Sequence, residues 1–200
     1  MAAQIDYYVS LNSPWTHLGA ARLEALVARH AATLRIYPVD FSTIFPASGG
    51  LPLPKRSPQR QAYRLVELRR WRERLGVPIH LQPKFFPARE ALPAHAVIAV
   101  RESFGDAPAI ALAHAILKAL WEQERDTGDA ATLAELAAGV GLDGGTVLRL
   151  AEEPRWAERR ATDTQMALER GVFGAPSYVL DGEIYWGQDR LDFLEQALGR

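Results

Sequence analysis

A serine followed by a proline stands where the first strand pattern gives way to a helical one. Ser13 suits the N-cap position and Pro14 suits the first helical position, because proline lacks an N–H that would stay unbonded there. Backbone N–H groups and the helix dipole favour an anion at such a start, so the Ser13 hydroxyl could donate to a thiolate or an oxyanion. The alternative is that Ser13 only caps the helix. No Gly-x-Ser-x-Gly elbow surrounds it, which argues against a hydrolase nucleophile.

A second proline, Pro176, follows Ala175 just before a short run of β-forming residues. A cis bond there would turn the chain and leave the N–H and C=O groups of Ala175 available to an extended ligand. The alternative is an ordinary trans proline that starts an edge strand.

The third candidate is the polar turn at residues 186–190, which leads into the last helical pattern. N–H groups at the start of this turn could hold a carboxylate, and Asp189 could pair with an amine such as that of an amino acid. The alternative is that Asp189 caps the helix and Arg190 lies in solvent.

Basic residues crowd the segment 55–74, which holds eight lysines and arginines but only two glutamates. Such a segment could draw anionic small molecules toward a cleft, or it could be a solvated helix face. No motif supports nucleic-acid binding. The five histidines lack metal-ligand spacing, so we predict no metal site.

Composition narrows the chemistry further. The 200-residue chain contains no cysteine, which excludes disulfides, thiolate metal sites and a Cys-x-x-Cys redox centre. A net charge of −1 and an apolar fraction of 48% are typical of a globular protein without a nucleic-acid partner. We find no signal-peptide pattern and no membrane-spanning run, so we expect a cytoplasmic protein.

Hydrophobic periodicity predicts an α/β protein, a βαβ opening and a ββα ending separated by helices. We assign residues 1–45 and 171–200 to one sheet domain and 55–170 to a large all-helical insertion. Frequent prolines and glycines over 41–58 predict a long loop. The dipeptide at 181–182 predicts a hairpin turn. The predicted strands are 5–11, 34–39, 177–180 and 183–186; the predicted helices are 14–30, 57–75, two within 94–123 broken near 105–108, 130–139, 143–152, 154–170 and 188–198.

Taken together and in order, these motifs resemble those of the glutathione-dependent 2-hydroxychromene-2-carboxylate isomerase family. That family is related to kappa-class glutathione transferases within the DsbA-like thioredoxin superfamily. The resemblance covers nearly the whole chain. It rests on residues 7–15 (YYVSLNSPW), 67–71 (ELRRW), 76–78 (GVP), 172–176 (VFGAP) and 186–191 (WGQDRL).

The resemblance implies a thioredoxin-like sheet and a glutathione site. In such proteins the serine before proline replaces a redox cysteine and holds the thiol of glutathione, which makes Ser13 the catalytic residue here. The resemblance also implies a cis Ala175-Pro176 bond that pairs with the cysteinyl part of glutathione. It places the γ-glutamyl end on the turn formed by Trp186, Gly187, Gln188 and Asp189.

The reaction implied is cis-trans isomerisation of an aromatic 2-oxo acid by reversible thiolate addition. A helix N-terminus and a serine donor would raise the thiolate fraction of a thiol whose pKa is ordinarily about 8.5. On the substrate side the chain departs from the family, and we name Lys55 and Arg89 as candidates for holding a carboxylate and Phe86 for stacking on a ring.

Two other functions remain open at this point. One is a kappa-like glutathione transferase with the same thiol site, which would release a stable adduct. The other is a non-enzymatic thioredoxin-fold protein whose basic helix binds an anionic partner. The family resemblance also implies a homodimer.

Overall fold

The computed structural model describes residues 3–199, which form a four-stranded mixed sheet surrounded by helices. The strand order is β2-β1-β3-β4; β1 runs parallel to β2 and antiparallel to β3, which is antiparallel to β4. The strands are β1 (Gln4–Val9), β2 (Thr33–Pro38), β3 (Ser177–Leu180) and β4 (Glu183–Trp186). The helices are α1 (Pro14–Arg29), α2 (Phe41–Ser48), α3 (Pro58–Leu75), α4 (Ala91–Phe104), α5 (Asp106–Gln123), α6 (Ala130–Gly139), α7 (Gly144–Ala151), α8 (Arg155–Glu169) and α9 (Leu191–Leu198). This is the thioredoxin-like arrangement that the family resemblance implies, with the helical insertion that the sequence pattern predicts.

Strand β1 lies at the centre of the sheet because both of its faces are apolar. Tyr7 stacks on Tyr178 at 5.4 Å between ring centroids, and Tyr8 stacks on Tyr37 of β2 at 4.9 Å. Successive side chains of a strand point to opposite faces, so Tyr7 and Tyr8 belong to two different buried clusters. The sheet therefore needs helices on both faces.

The predicted hairpin and the predicted helices of the insertion are confirmed. Asp181 and Gly182 both have positive φ angles, 50° and 83°, as a tight primed turn between antiparallel strands requires. Gly105, with φ 99°, separates α4 from α5. One buried cluster contains Tyr7 of the sheet together with Ile116 of the insertion. The division into 1–45 plus 171–200 and 55–170 remains a prediction.

The predicted long loop over residues 41–58 is wrong, because α2 and a 3-10 turn (Leu53–Lys55) occupy much of it. Asp40 caps α2 by accepting a hydrogen bond from the Ser42 backbone N–H at 2.9 Å, which orders the first turn. Phe41 and Ile44 are buried against the sheet. This burial outweighs the single hydrogen bond that Pro46 removes from so short a helix.

Element ends also differ slightly from the predictions. Strand β1 stops at Val9 rather than continuing to residue 11. The predicted helix over 188–198 is divided, since Gln188–Arg190 form a 3-10 turn before α9. Within residues 3–199 no helix combines the length and apolarity needed to cross a membrane. The same residues contain no group of histidines and carboxylates arranged to hold a metal ion.

A buried ion pair connects the insertion to the sheet. The Arg101 guanidinium of α4 lies 2.8 Å from the Asp163 carboxylate of α8 and donates to the Ile36 carbonyl of β2 at 2.7 Å. Both charged side chains are almost fully buried. The hydrogen bonds satisfy the guanidinium on two sides, which is the condition under which a buried charge is tolerated.

We predict that Asp163→Ala lowers the free energy of unfolding by about 3 kcal/mol, because the buried Arg101 guanidinium then keeps only Glu102 as an acidic partner and Arg159 loses its bond to Asp163. Urea unfolding followed by circular dichroism measures the change. Glu135→Ala, which breaks an exposed pair with Arg125, is the control and is expected to cost less than about 1 kcal/mol. Equal effects of the two substitutions would contradict the role of the buried pair.

Candidate functional site

Three loops meet at one end of the sheet because of the strand register. Tyr8 near the end of β1 pairs with Ser177 at the start of β3, and Ser177 pairs with Trp186 at the end of β4. The loop that follows β1, the loop that precedes β3 and the turn that follows β4 must therefore be neighbours. These segments carry the serine, the alanine-proline pair and the polar turn that the sequence analysis selected.

Ser13 caps α1 and also contacts the neighbouring loop. Its Oγ accepts a hydrogen bond from the Thr16 backbone N–H at 3.2 Å and donates one to the Ala175 carbonyl at 3.3 Å. Ser13 is only 8% exposed. The Trp15 N–H lies in the first turn of α1, where no intrahelical acceptor is available. The helix start therefore offers one hydroxyl and one backbone donor at the same place.

The loop that carries Ser13 is attached to the segment before α4. The Asn12 amide exchanges two hydrogen bonds with the Ala88 backbone, at 2.9 and 3.0 Å, and the Leu11 N–H donates to the Glu90 carboxylate. Burial raises the pKa of Glu90, while Arg160 and the donors around the carboxylate oppose the rise. The insertion thus holds the β1–α1 loop through backbone and side-chain hydrogen bonds.

The Ala175-Pro176 peptide bond is cis, as the family resemblance implies. The Pro176 carbonyl accepts a hydrogen bond from the Gly187 N–H at 2.8 Å, which joins the loop before β3 to the turn after β4. The sequence analysis expected the Ala175 carbonyl to be available to a ligand. In the structure it is not free, because the Ser13 hydroxyl already donates a hydrogen bond to it.

The turn after β4 is anchored through the buried Gln188, whereas its Asp189 and Arg190 side chains are partly exposed. Gly187 has φ 100°, and a Cβ there would lie 2.5 Å from an Asp189 carboxylate oxygen. Gln188 is buried, and its side-chain and backbone oxygens both accept from the Arg22 guanidinium, at 2.8 and 3.1 Å. Asp189 is paired with Arg190 at 3.0 Å, and both side chains are about half exposed. Asp189 therefore has a cation beside it rather than lying alone.

A cavity of about 580 Å³ opens beside these loops. Five of the predicted site residues line it, namely Ala175, Trp186, Gly187, Gln188 and Asp189. Ser13 and Pro176 are buried and are not part of this lining, but the Ser13 hydroxyl is hydrogen-bonded to the carbonyl of Ala175, which is. The volume is within the range of roughly 300–1,000 Å³ that is typical of small-molecule sites.

The opposite wall of the cavity is α3 with the residues just before it. The sequence analysis left two interpretations open for this basic segment, attraction of anions toward a cleft or a solvated helix face, but selected none of the residues that line the cavity. Trp15 of α1 adds one further ring. The residues of this wall are Arg56, Gln59, Arg60, Tyr63, Arg64, Glu67 and Trp71. Those within α3 stand at positions 59 and 60, 63 and 64, 67 and 71, so they repeat about once per helical turn, as residues on one helix face do. That periodicity was the available signal, but the dense arginines on every side of the segment conceal it.

The three candidate substrate residues lie outside the cavity lining. Lys55 is exposed, directly before Arg56, which does line the cavity. Arg89 is also exposed, and its backbone packs against Gly128. Phe86 packs against Trp121 of α5, with ring centroids 5.0 Å apart. Their roles toward a substrate remain predictions.

Comparison with known proteins agrees with this geometry. The DSBA-like thioredoxin domain family matches residues 4–199. The chain belongs to this family. Within it, the chain is 32% identical over 200 residues to a 2-hydroxychromene-2-carboxylate isomerase from Sphingobium xenophagum, with 99% of each chain covered. It is 30% identical to an enzyme of the same name from Pseudomonas putida, covering 98% of this chain and 94% of that one. The resemblance inferred from the motifs is confirmed.

Solved structures give the same result. A structure of 2-hydroxychromene-2-carboxylate isomerase superposes with a TM-score of 0.83 and 27% identity, over 98% of this chain and 95% of that one. The cytosolic disulfide reductase DsbM from Pseudomonas aeruginosa shares the fold, with a TM-score of 0.68 and 22% identity over 98% of both chains.

Gly174 sets the position of the Trp186 ring at the cavity. A Cβ on Gly174 would lie 2.2 Å from the Trp186 indole nitrogen. The indole also packs on Phe173, with centroids 4.7 Å apart. Any side chain at position 174 must therefore displace the indole.

We predict that Gly174→Ala shifts Trp186 and destabilises the protein by less than about 1 kcal/mol, below the usual cost of overpacking a core, because the half-exposed indole can move into solvent. Near-ultraviolet circular dichroism reports the indole environment, and urea unfolding measures the stability. Gly139→Ala is the matched control, since a Cβ at this position of α6 meets no atom within 4 Å. An unchanged aromatic spectrum in Gly174→Ala would argue against a fixed ring.

Proposed function

We propose that this protein is a glutathione-dependent isomerase that converts an aromatic 2-oxo acid of the 2-hydroxychromene-2-carboxylate type by reversible thiolate addition. The observation that carries the proposal is the position of Ser13, a hydroxyl at the start of α1 bonded to the residue before a cis proline at the edge of a cavity. The chain has no cysteine. A thioredoxin-type site of this composition needs sulfur from another molecule.

The residues around the cavity fit glutathione, a tripeptide with two carboxylates, one amine and one thiol. The Gln188 and Asp189 N–H groups open the turn after β4, where a 3-10 turn has no internal acceptor for them. They suit a carboxylate, and the Asp189 side chain suits an amine. Ala175 offers backbone groups for an extended peptide. The guanidinium groups of the opposite wall favour a ligand with net negative charge.

Bound glutathione would supply a sulfur nucleophile that adds to a conjugated double bond, allows rotation about the resulting single bond and then leaves. The protein's part is to hold that sulfur as an anion. The Ser13 hydroxyl donates to it, and the Trp15 N–H and the α1 dipole stabilise its charge. Since glutathione is returned unchanged, the protein needs no redox group of its own.

The single proton of the Ser13 hydroxyl couples two parts of this site. In the structure it is donated to the Ala175 carbonyl. To donate to sulfur, the hydroxyl must leave that carbonyl, which then accepts a hydrogen bond from the ligand backbone instead. One rotation of the Ser13 side chain thus serves both the thiol and the peptide of glutathione.

Known proteins support both the isomerase activity and the glutathione binding that we propose. The relatives named above are isomerases of 2-hydroxychromene-2-carboxylate. The P. aeruginosa reductase DsbM, which shares the fold at 18% identity and a TM-score of 0.67, has been solved with GSH. DsbM is named as a cytosolic protein, and from the shared fold we propose a cytoplasmic location for this protein. Homodimerisation, implied by the family, is a further part of the proposal.

We predict that Ser13→Ala lowers kcat about 10- to 100-fold, because it removes a hydrogen bond to a charged sulfur. The pKa of the thiol in bound glutathione, read from thiolate ultraviolet absorbance, is expected to rise. Activity toward a 2-hydroxychromene-2-carboxylate substrate should require glutathione in the parent protein.

The control for this experiment is Asp143→Ala, which also removes an N-cap, the hydrogen bond at 2.7 Å from the Thr146 N–H in α7. Both substitutions remove about 1 kcal/mol of capping energy, but only Ser13→Ala also removes the hydroxyl that donates a hydrogen bond to sulfur. Equal kcat and equal thiol pKa in Ser13→Ala and the parent would overturn the role of Ser13. Release of a stable glutathione adduct, detected by mass spectrometry, would instead identify a transferase.

A further inference from the structure

Arg64 is an arginine at the cavity without an acidic partner. It lies on the face of α3 that lines the cavity, and its side chain is partly buried. Within residues 3–199 no carboxylate forms an ion pair with it. By contrast Arg70, on an outer face of the same helix, pairs with Glu67 at 2.7 Å. A partly buried cation without an acidic partner beside a cavity indicates a place for an anion.

Two aromatic rings hold the Arg64 guanidinium. Its central carbon lies 5.2 Å from the Phe86 ring centroid and 5.7 Å from that of Trp121. Trp121 is fully buried, so this support is rigid. A guanidinium held over rings still has its N–H donors in its own plane, which is the geometry for two-point binding of a carboxylate.

The charges around Arg64 leave its cation uncompensated. Arg56 and Arg60 line the same wall, whereas both lining carboxylates are already paired, Glu67 with Arg70 and Asp189 with Arg190. Burial and the nearby Arg56 lower the pKa of Arg64 to about 10. The group stays charged at neutral pH, but an added anion would stabilise that charge.

We propose that Arg64 binds the carboxylate of the aromatic substrate and so makes the cavity specific for acids over neutral enones. This inference rests on the proposed function for the identity of the substrate. It assigns the carboxylate to α3 rather than to Lys55 or Arg89. In this arrangement Phe86 supports the guanidinium and does not stack on the substrate.

The test uses two probes that differ only in the carboxylate, benzylidenepyruvate and the neutral enone benzylideneacetone. Calorimetric titration without glutathione is expected to show that the parent protein binds the acid more tightly. Arg64→Met should weaken binding of the acid about 10- to 100-fold and leave binding of the neutral enone unchanged. Arg64→Lys, which keeps the charge but loses the planar fork, should restore part of the affinity.

Arg69→Met is the control, because Arg69 is also an arginine of α3 but is exposed and lies outside the cavity lining. It should bind both probes like the parent. Lys55→Met and Arg89→Met should also leave acid binding unchanged. Loss of acid binding in either of these, with full binding in Arg64→Met, would overturn the inference. So would equal affinity of the parent protein for the two probes.

The failure of this inference is distinguishable from failure of the proposed function. A parent protein that binds the acid through Arg64 but has no glutathione-dependent isomerase activity would support the inference and refute the function. An active isomerase in which Arg64→Met leaves KM for the acid unchanged would refute the inference alone.

Discussion

The site depends on one hydrogen bond, from the Ser13 hydroxyl to the Ala175 carbonyl. It joins the start of α1 to the residue before the cis proline, and it accounts for the only proton that this hydroxyl has. Thioredoxin-like proteins with a cysteine here use its sulfur directly. This chain has no cysteine, so any thiol at the same helix start must belong to another molecule. Redox chemistry through a protein dithiol is therefore excluded, whereas addition and elimination by a borrowed thiol are compatible with the site.

The cavity has two walls of different origin. The sheet side supplies backbone groups, one hydroxyl and a tight turn, all held by strand register and by Arg22 beneath Gln188. The helical side supplies cations and aromatic rings from α3. A single apolar cluster joins the walls, in which Leu68 of α3 packs with Leu18 of α1 and Leu117 of α5. Changes on the exposed or cavity face of α3 can therefore alter the helical wall while the sheet side stays the same.

Most elements could be predicted from the sequence because their signals are local. The cap at Ser13, the turn at Asp181 and the break at Gly105 each depend on a few neighbouring residues, and each is found where it was expected. The loop prediction for residues 41–58 is wrong because the structure there depends on contacts with distant residues rather than on local signals. Proline and glycine indicated a loop, but α2 forms because Phe41 and Ile44 are buried against strands distant from it in the chain.

The same division applies to the site. The residue types alone determined that the protein has no thiol of its own and that Ser13 begins a helix. They also selected Ala175 and the turn from Trp186 to Asp189, which line the cavity. Only the tertiary structure decided which arginines of α3 face that cavity and which lie in solvent. The reason is physical: helical periodicity defines faces, but the rotation of a helix about its own axis is set by long-range packing, here by the burial of Leu68.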